Sequence, residues 1–376
     1  MKICVLTKTL LKGGAEKQSL LLAETLSKSC EVIYVVWNGN SKNQYEEETI
    51  KNLYPVFSLT GNCFMRSLKF FKILKEYKIN LIFSYLLTTN LAASILGKAA
   101  KVDFVIGGIR NSYHPFLKEY LLKIIHNYLS DYSIVNCISS IDKLKSKGFD
   151  EKKLLVIPNG IRMREFMLPQ KNKSKDEIVI LSVGRFVKQK DYLTAIKSIN
   201  YLYYHLLCNT GIRIKYYIVG YGELRNEIEN EIDKRELTDV IKIIDDSELN
   251  EIYLNADIYL CTSLYEGVSN SILEAMNHLL PIVASKAGDN VNLVRNAENG
   301  FLCDISDWRG FANSLYILVR YPKYRIELGK KSFKILEENY SLKKFEERYL
   351  NFLDTISNSI SQKDISYNYN LTKINL

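Results

Sequence analysis

Short apolar runs alternate with amphipathic stretches along most of the chain, and that alternation predicts strands and helices in turn. Lys2-Ile-Cys-Val-Leu6 reads as a first strand. A helix to about Ser27 follows Lys12-Gly-Gly-Ala-Glu16, and Glu31–Val36 reads as a second strand. Further runs at Leu81–Ser84, Phe104–Gly107 and Ser133–Val135 have helical periodicity between them. The same rhythm restarts at Ile178–Val183 and continues through Lys215–Val219, Ile241–Ile244, Ile258–Thr262 and Pro281–Ser285. Asn299-Gly300-Phe-Leu-Cys303 reads as a short hairpin-like edge. Strands alternating with helices predict an α/β protein with parallel sheets, here in two Rossmann-like series.

A strand running into Pro-Asn-Gly at Val156–Ile161 marks the junction of the two series. The polar stretch Gln170–Asp176 reads as a linker, which gives domains at 1–168 and 169–338. Helical patterns continue from Trp308, and residues 361–376 form a polar tail.

Composition adds limits. The chain has 376 residues, comfortable for two domains, with 47% hydrophobic and 25% charged residues. Lys2, Lys8 and Lys12 interrupt the first apolar run, against an N-terminal signal. The uncharged stretch Ile79–Gly97 carries Asn80, Ser84, Thr88, Thr89, Asn90 and Ser94, so it reads as strand plus helix and not as a membrane span. Seven scattered cysteines without a CxxC suit a reduced, cytoplasmic protein and no zinc site. Residues 1–180 carry 27 Lys and Arg against 16 Asp and Glu, whereas the remainder carries 24 against 26. A basic first half suggests a polyanionic surface or substrate on that side. Two of its segments are basic and apolar at once, Arg66–Lys78 and Tyr113–Leu129. Such helices suit an anionic membrane interface at the inner face of a plasma membrane, and equally the surface of any lysine-rich protein. Neither an aromatic-interleaved sheet nor a recognition helix points to nucleic acid.

The candidate chemistry centres on Leu264–Met276. Gly267, Val268, Ser269, Asn270 and Ser271 form a small helix entrance whose backbone N–H groups and dipole suit a phosphate. Glu266 lies in the loop before it and Glu274 within the helix, where carboxylates can accept from sugar and ribose hydroxyls. The structural alternative is a capped helix bearing two surface glutamates. Gly184-Arg185 and Lys190 follow a strand, and two cations there can neutralise a diphosphate without a metal. No Asp-x-Asp stands in a Mg²⁺-holding position, so neither metal nor cofactor is expected. Gly13-Gly14 lets the backbone approach a ligand after the first strand, although the pattern is not the dinucleotide fingerprint. No histidine is assigned as a general base.

Taken together, Gly13-Gly14-Ala15-Glu16, Val156–Ile161, Gly184-Arg185…Lys190, Gly220-Tyr-Gly222, Glu266–Met276 and Ala287-Gly…Asn299-Gly-Phe resemble retaining glycosyltransferases of family 4. The resemblance is to the kind that builds bacterial polysaccharides and glycans, and it runs from about residue 1 to 345. It implies the GT-B fold, two Rossmann-like domains facing across a cleft, with a helix at 339–360 crossing back to the first. It implies a nucleotide-sugar donor on the second domain and a glycan acceptor, lipid-linked by preference, on the first. By the same resemblance Arg185 and Lys190 hold the diphosphate, Glu274 the ribose, and Glu266 faces the donor sugar. Gly14, Gly184, Gly220 and the backbone of 267–271 complete the donor site. The Glu-Gly-Val-Ser-Asn-Ser run suggests a uridine diphosphate donor. A small-molecule or protein acceptor, or a silent nucleotide-sugar-binding partner, stays open as an alternative.

The sequence departs from the family in places. A first-domain histidine is missing from Phe83–Leu86 and Gly107–Asn111. Arg110, with Tyr85 and Glu16, is the candidate for the acceptor or sugar side. Tyr221 and Glu223 replace residues common around the second glycine, and Asn292 stands where a glutamate is frequent.

Overall fold

Strands buried on both faces need helices on both sides, and the apolar runs here are placed that way. The computed structural model describes residues 1–11, 13–39, 53–110, 115–164, 177–245 and 249–361, so the linker 170–176 and the tail beyond 361 lie outside the described residues. The chain divides into two compact units, Met1–Gly160 with Leu342–Leu376, and Ile161–Ser341.

The first unit contains β1 (Lys2–Thr7), β2 (Glu31–Val36), β3 (Val56–Ser58), β4 (Leu81–Tyr85), β5 (Phe104–Ile109), β6 (Tyr132–Val135) and β7 (Leu154–Val156). They form one sheet in the order β3-β2-β1-β4-β5-β6-β7, with every pairing parallel. Short β3 escaped the sequence reading. Alternation along β1 sends Ile3 and Val5 to one face and Cys4 and Leu6 to the other. The Cys4 face packs on α2 (Cys63–Glu76) through Phe70 and Leu74, and on α3 (Leu87–Ala100) through Ala93 and Ala100. Helix α4 (Phe116–Ile124) follows β5 and continues as a π-turn over Ile125–Leu129, beside α3, and α5 (Ser139–Ser146) follows β6. The Ile3 face packs on α1 (Gly14–Ser27) and on the C-terminal helix Leu342–Ser361. That last helix inserts Phe345, Tyr349, Phe352, Leu353 and Ile356 into the core, with the Tyr349 ring edge-on to Phe83 at 5.6 Å.

Inside this unit His126 is fully buried between the Ser133 hydroxyl (2.8 Å from Nδ1) and the Asp150 carbonyl (2.9 Å from Nε2). Burial holds its pKa below the ordinary value. The unfolded chain therefore takes up this proton first as pH falls, and stability present above about pH 6.5 is lost below it. The melting temperature should drop between pH 7 and 5, with a smaller drop in His126→Asn. An equally steep drop in that variant would remove His126 from the account.

The second unit contains β8 (Glu177–Val183), β9 (Arg213–Val219), β10 (Ile241–Ile244), β11 (Ile258–Cys261), β12 (Ile282–Ser285) and β13 (Gly300–Cys303). Their order is β10-β9-β8-β11-β12-β13, again with parallel pairing. The hairpin-like edge expected at 299–303 is instead a parallel edge strand, with Ile282 opposite Gly300. Asn299 turns the chain locally, its side chain accepting from Arg295 N and donating to Leu293 O, so the Asn-Gly signal marks a turn before the strand. Among the helices, α6 (Tyr192–Tyr201), α7 (Arg225–Lys234), α8 (Leu249–Asn255) and α9 (Asn270–Asn277) border the site described next. Ile272, Leu273 and Met276 form the buried face of α9, as their spacing predicts.

Candidate active site

In the second unit the strand order reverses between β8 and β11, and open parallel sheets bind ligands at the carboxyl ends of such a pair. The loop after β8 carries Gly184, Arg185 and Lys190, and the loop after β11 carries Thr262 to Ser269. Hydrogen bonds staple the two loops together. Leu264 N donates to Gln189 O at 2.8 Å, and Gln189 Nε2 donates to Tyr265 O at 2.8 Å. Thr262 Oγ1 lies within 3.0 Å of Lys190 O and 2.9 Å of Asp191 O. Asp191 then turns left-handed (φ 47°) and caps α6 through Thr194.

Lys190 and Glu266 meet in this stapled frame. Nζ donates to Oε1 at 2.5 Å, and Ser263 Oγ donates to the same oxygen at 2.7 Å. The two side chains are only 18% and 9% exposed, so the pair is shielded from water and strong for its length. Burial alone would lower the Lys190 pKa, but the Glu266 carboxylate overrides it and holds the ammonium above its usual range. Arg185 is exposed and close enough for its charge to oppose protonation of Lys190. Two cations and one carboxylate thus share one corner.

Glycines let the surrounding loops close. Gly220 sits at φ 148°, and a Cβ there would lie 2.1 Å from the Gly184 carbonyl oxygen. Gly288 sits at φ 56°, and its Cβ would lie 2.0 Å from the Glu266 carbonyl oxygen. Gly288 thereby sets the depth of the Glu266 loop, a role the Ala-Gly pair alone did not reveal. Asn292, noted as a departure, lies in the short helix Asn290–Leu293 and donates to Asp289 at 3.2 Å. Tyr221 is exposed, and its carbonyl accepts from Phe186 N.

Gly267, Val268 and Ser269 are buried ahead of α9, which begins at Asn270 and Ser271. The Ser269 side chain does not cap the helix and lies 3.2 Å from Ser271 Oγ. First-turn N–H groups of a helix have no partners within it, so this end favours an anion. Glu274 stands half-buried one turn along. Beside it lies Tyr253, which no sequence signal had marked. Its hydroxyl donates to Ser271 O at 3.3 Å, and its pKa is raised by burial and then by the Glu274 charge. Tyr253 stacks on His278 at 4.9 Å, and His278 Nδ1 lies 2.7 Å from Glu274 O. This packing supports α9 from below and makes His278 structural.

The remaining candidates belong to the first unit, whose strand order reverses at β1 and β4. Gly14 opens α1, after the loop that follows β1. Glu16 folds back against Gly13, 9% exposed, and accepts from Thr9 Oγ1 at 2.9 Å. Tyr85 is 2% exposed, its ring in the core. Arg110 lies over that ring at 4.4 Å and donates from Nη1 to Asn159 at 3.1 Å. Tyr85 is thus the platform under Arg110. Leu86 follows at φ 76°, ψ 157°, a conformation rare for L-residues, at this same switch point.

Residues 163–335 match the model of the family described as glycosyl transferases group 1. An Escherichia coli relative, UDP-Gal:alpha-D-GlcNAc-diphosphoundecaprenol alpha-1,3-galactosyltransferase, is 26% identical over 81% of this chain and 84% of its own. A Campylobacter jejuni relative, named as an alpha-1,4-N-acetyl-D-galactosaminyltransferase acting on a diNAcBac-PP-undecaprenol glycan, is 24% identical over 96% of this chain and 100% of its own. Among solved structures, Anabaena HepE in complex with UDP-glucose superposes with a TM-score of 0.81 at 17% identity, covering 94% of this chain and 100% of its own. That likeness shows the shared fold, two Rossmann-like units of the GT-B kind.

Proposed function

We propose that this chain, whose residues 163–335 match the group 1 glycosyltransferase model, is a retaining, metal-independent transferase of surface polysaccharide or glycan assembly. Its donor is a UDP-sugar, and its acceptor is a hydroxyl of a lipid-linked glycan presented at the inner face of the membrane. The observation that carries the reading is the shielded Lys190–Glu266 pair in loops stapled across β8 and β11. The lipid-linked acceptor follows the two relatives, both named for undecaprenol-linked substrates.

In this reading Lys190 and Arg185 take the diphosphate, helped by the N–H groups at the start of α9 and by Gly184 and Gly220. Glu274 accepts from the ribose hydroxyls, and Glu266 holds Lys190 and faces the donor sugar. Gly14 belongs with the donor-phosphate groups, and Arg110 serves the acceptor or sugar side. The acceptor oxygen bonds to the anomeric carbon as the bond from that carbon to the β-phosphate oxygen breaks. The hydroxyl proton passes to the departing phosphate on the attacked face, so the configuration is kept without a protein nucleophile. Positive charge at Lys190 and Arg185 stabilises the leaving diphosphate, which is the work a metal does elsewhere.

The test is a thermal-shift panel with uridine, guanosine and adenosine diphosphates. A ligand that binds only the folded protein raises its melting temperature with saturation. UDP should stabilise the wild type, and Glu274→Ala should lose most of that shift. Stabilisation by another nucleotide alone, or an unchanged shift in the variant, would overturn the donor and ribose assignments respectively. Full turnover after EDTA treatment, with the product's anomeric configuration read by NMR, tests the metal-free retaining step.

A further inference from the structure

Helix α4 is apolar on the wrong side for a helix of a sheet-backed unit. Of its nine residues only Leu122 is buried. Phe116 is 81% exposed and Leu117 78%, with Tyr120 and, on the following π-turn, Tyr128 also standing out. An ordinary surface helix turns such residues inward and presents its charges to water. Exposed apolar patches of this kind mark a contact.

The charges around it are cationic. Lys118 and Lys123 lie on the same helix, and Lys123 Nζ sits 5.7 Å over the Tyr120 ring. Glu119, the one acid on α4, is neutralised in an ion pair with Lys147. Helix α2, on the same side of the sheet with α3 between them, repeats the pattern: Phe64 and Leu68 are exposed among Arg66, Lys69 and Lys72. A helix that follows a parallel strand begins near that strand's carboxyl end. The outward apolar residues of α2 and α4 lie mainly in the first turns, Phe64 five residues beyond the start of the β3–α2 connection and Phe116 directly at the start of α4. They therefore sit toward the sheet edge that also carries Gly14 and Arg110.

We propose that the first turns of α2 and α4 form the surface by which this protein docks on an anionic lipid bilayer. Phe116, Leu117 and Phe64 enter the interface while the flanking cations meet lipid phosphates. The inference rests on the lipid-linked acceptor proposed above and specifies how that acceptor is met. A bilayer fits better than a protein partner because paired prongs and cations recur on two helices, with the acids on them either paired or set apart at Glu76. Docking there brings the headgroup level to the carboxyl edge of the first sheet, the side assigned to the acceptor.

The experiment is flotation of the full chain with vesicles of phosphatidylcholine alone or mixed with phosphatidylglycerol, in low salt. The wild type should float with the mixed vesicles and not with neutral ones. Phe116→Ser/Leu117→Ser and, separately, Lys118→Glu/Lys123→Glu should each bind about tenfold more weakly or worse. Tyr321→Ser/Ile326→Ser, which removes exposed apolar residues of the second unit, should float as the wild type. Equal flotation on neutral vesicles, wild-type flotation of either α4 variant, or equal loss in the second-unit control would overturn the proposal. So would a wild-type dimer that the Phe116/Leu117 variant breaks, since the face would then be a contact between copies. The UDP thermal shift is read in parallel: flotation without it would sink the donor assignment and leave the docking surface standing.

Discussion

Lys190→Ala is expected to lower turnover about a thousandfold, the scale on which one preorganised charge-stabilising donor acts on a developing anion. The ammonium is held by Glu266 at 2.5 Å and kept protonated by it, so it is ready when charge develops on the leaving phosphate. Removing it also leaves a nearly buried carboxylate that keeps, among the described residues, the Ser263 hydroxyl on that oxygen. Breaking one side of a buried pair destabilises by up to several kcal/mol, and residual exposure of this pair reduces that to about 2 kcal/mol. The two effects can be separated. Lys190→Ala/Glu266→Gln removes the orphaned charge and should recover most of the melting temperature while staying as inactive as the single variant. Near-normal turnover in Lys190→Ala would end the diphosphate assignment. Recovery of activity in the double variant would show that the damage was to folding alone.

Gly288→Ala should cost about 3 kcal/mol of stability and about a hundredfold in turnover, though residue 288 is assigned no contact with substrate. Its left-handed φ is costly for alanine, and the added methyl would lie 2.0 Å from the Glu266 carbonyl oxygen. Something must move, and both neighbours belong to loops at the carboxyl edge of the sheet. A shift of the Glu266 loop lengthens the 2.5 Å contact with Lys190 and tilts the entrance to α9. An ångström of misplacement at a reacting centre is enough for that loss. Calorimetry with kcat measured well below the melting temperature checks both numbers. A variant that melts early yet turns over normally would show that the Glu266 loop does not need this support.

Much of the molecule was legible because the information was local. A period of two or of 3.6 residues survives in any single strand or helix, so β1, β2, β10 and the buried face of α9 were readable within a residue or two. The placing of Glu266 in a loop and Glu274 in a helix followed from the same patterns, and the series of glycine and acidic motifs pointed to the donor chemistry. What stayed hidden depends on residues far apart in sequence. Short β3 has no period to read, and the Asn-Gly turn before β13 looked like a hairpin because the partner strand, β12, could not be known.

The tertiary structure alone decided which residues act together. Lys190 and Glu266 are separated by 76 positions and joined only because β8 and β11 are neighbours. Gly288 matters because of a carbonyl 22 positions away in sequence, and Tyr253 because α8 folds its ring beneath Glu274. The exposure of Phe116 and Leu117 was invisible for the same reason. A periodicity shows that a helix has an apolar face, but only the packed neighbours determine whether that face is covered.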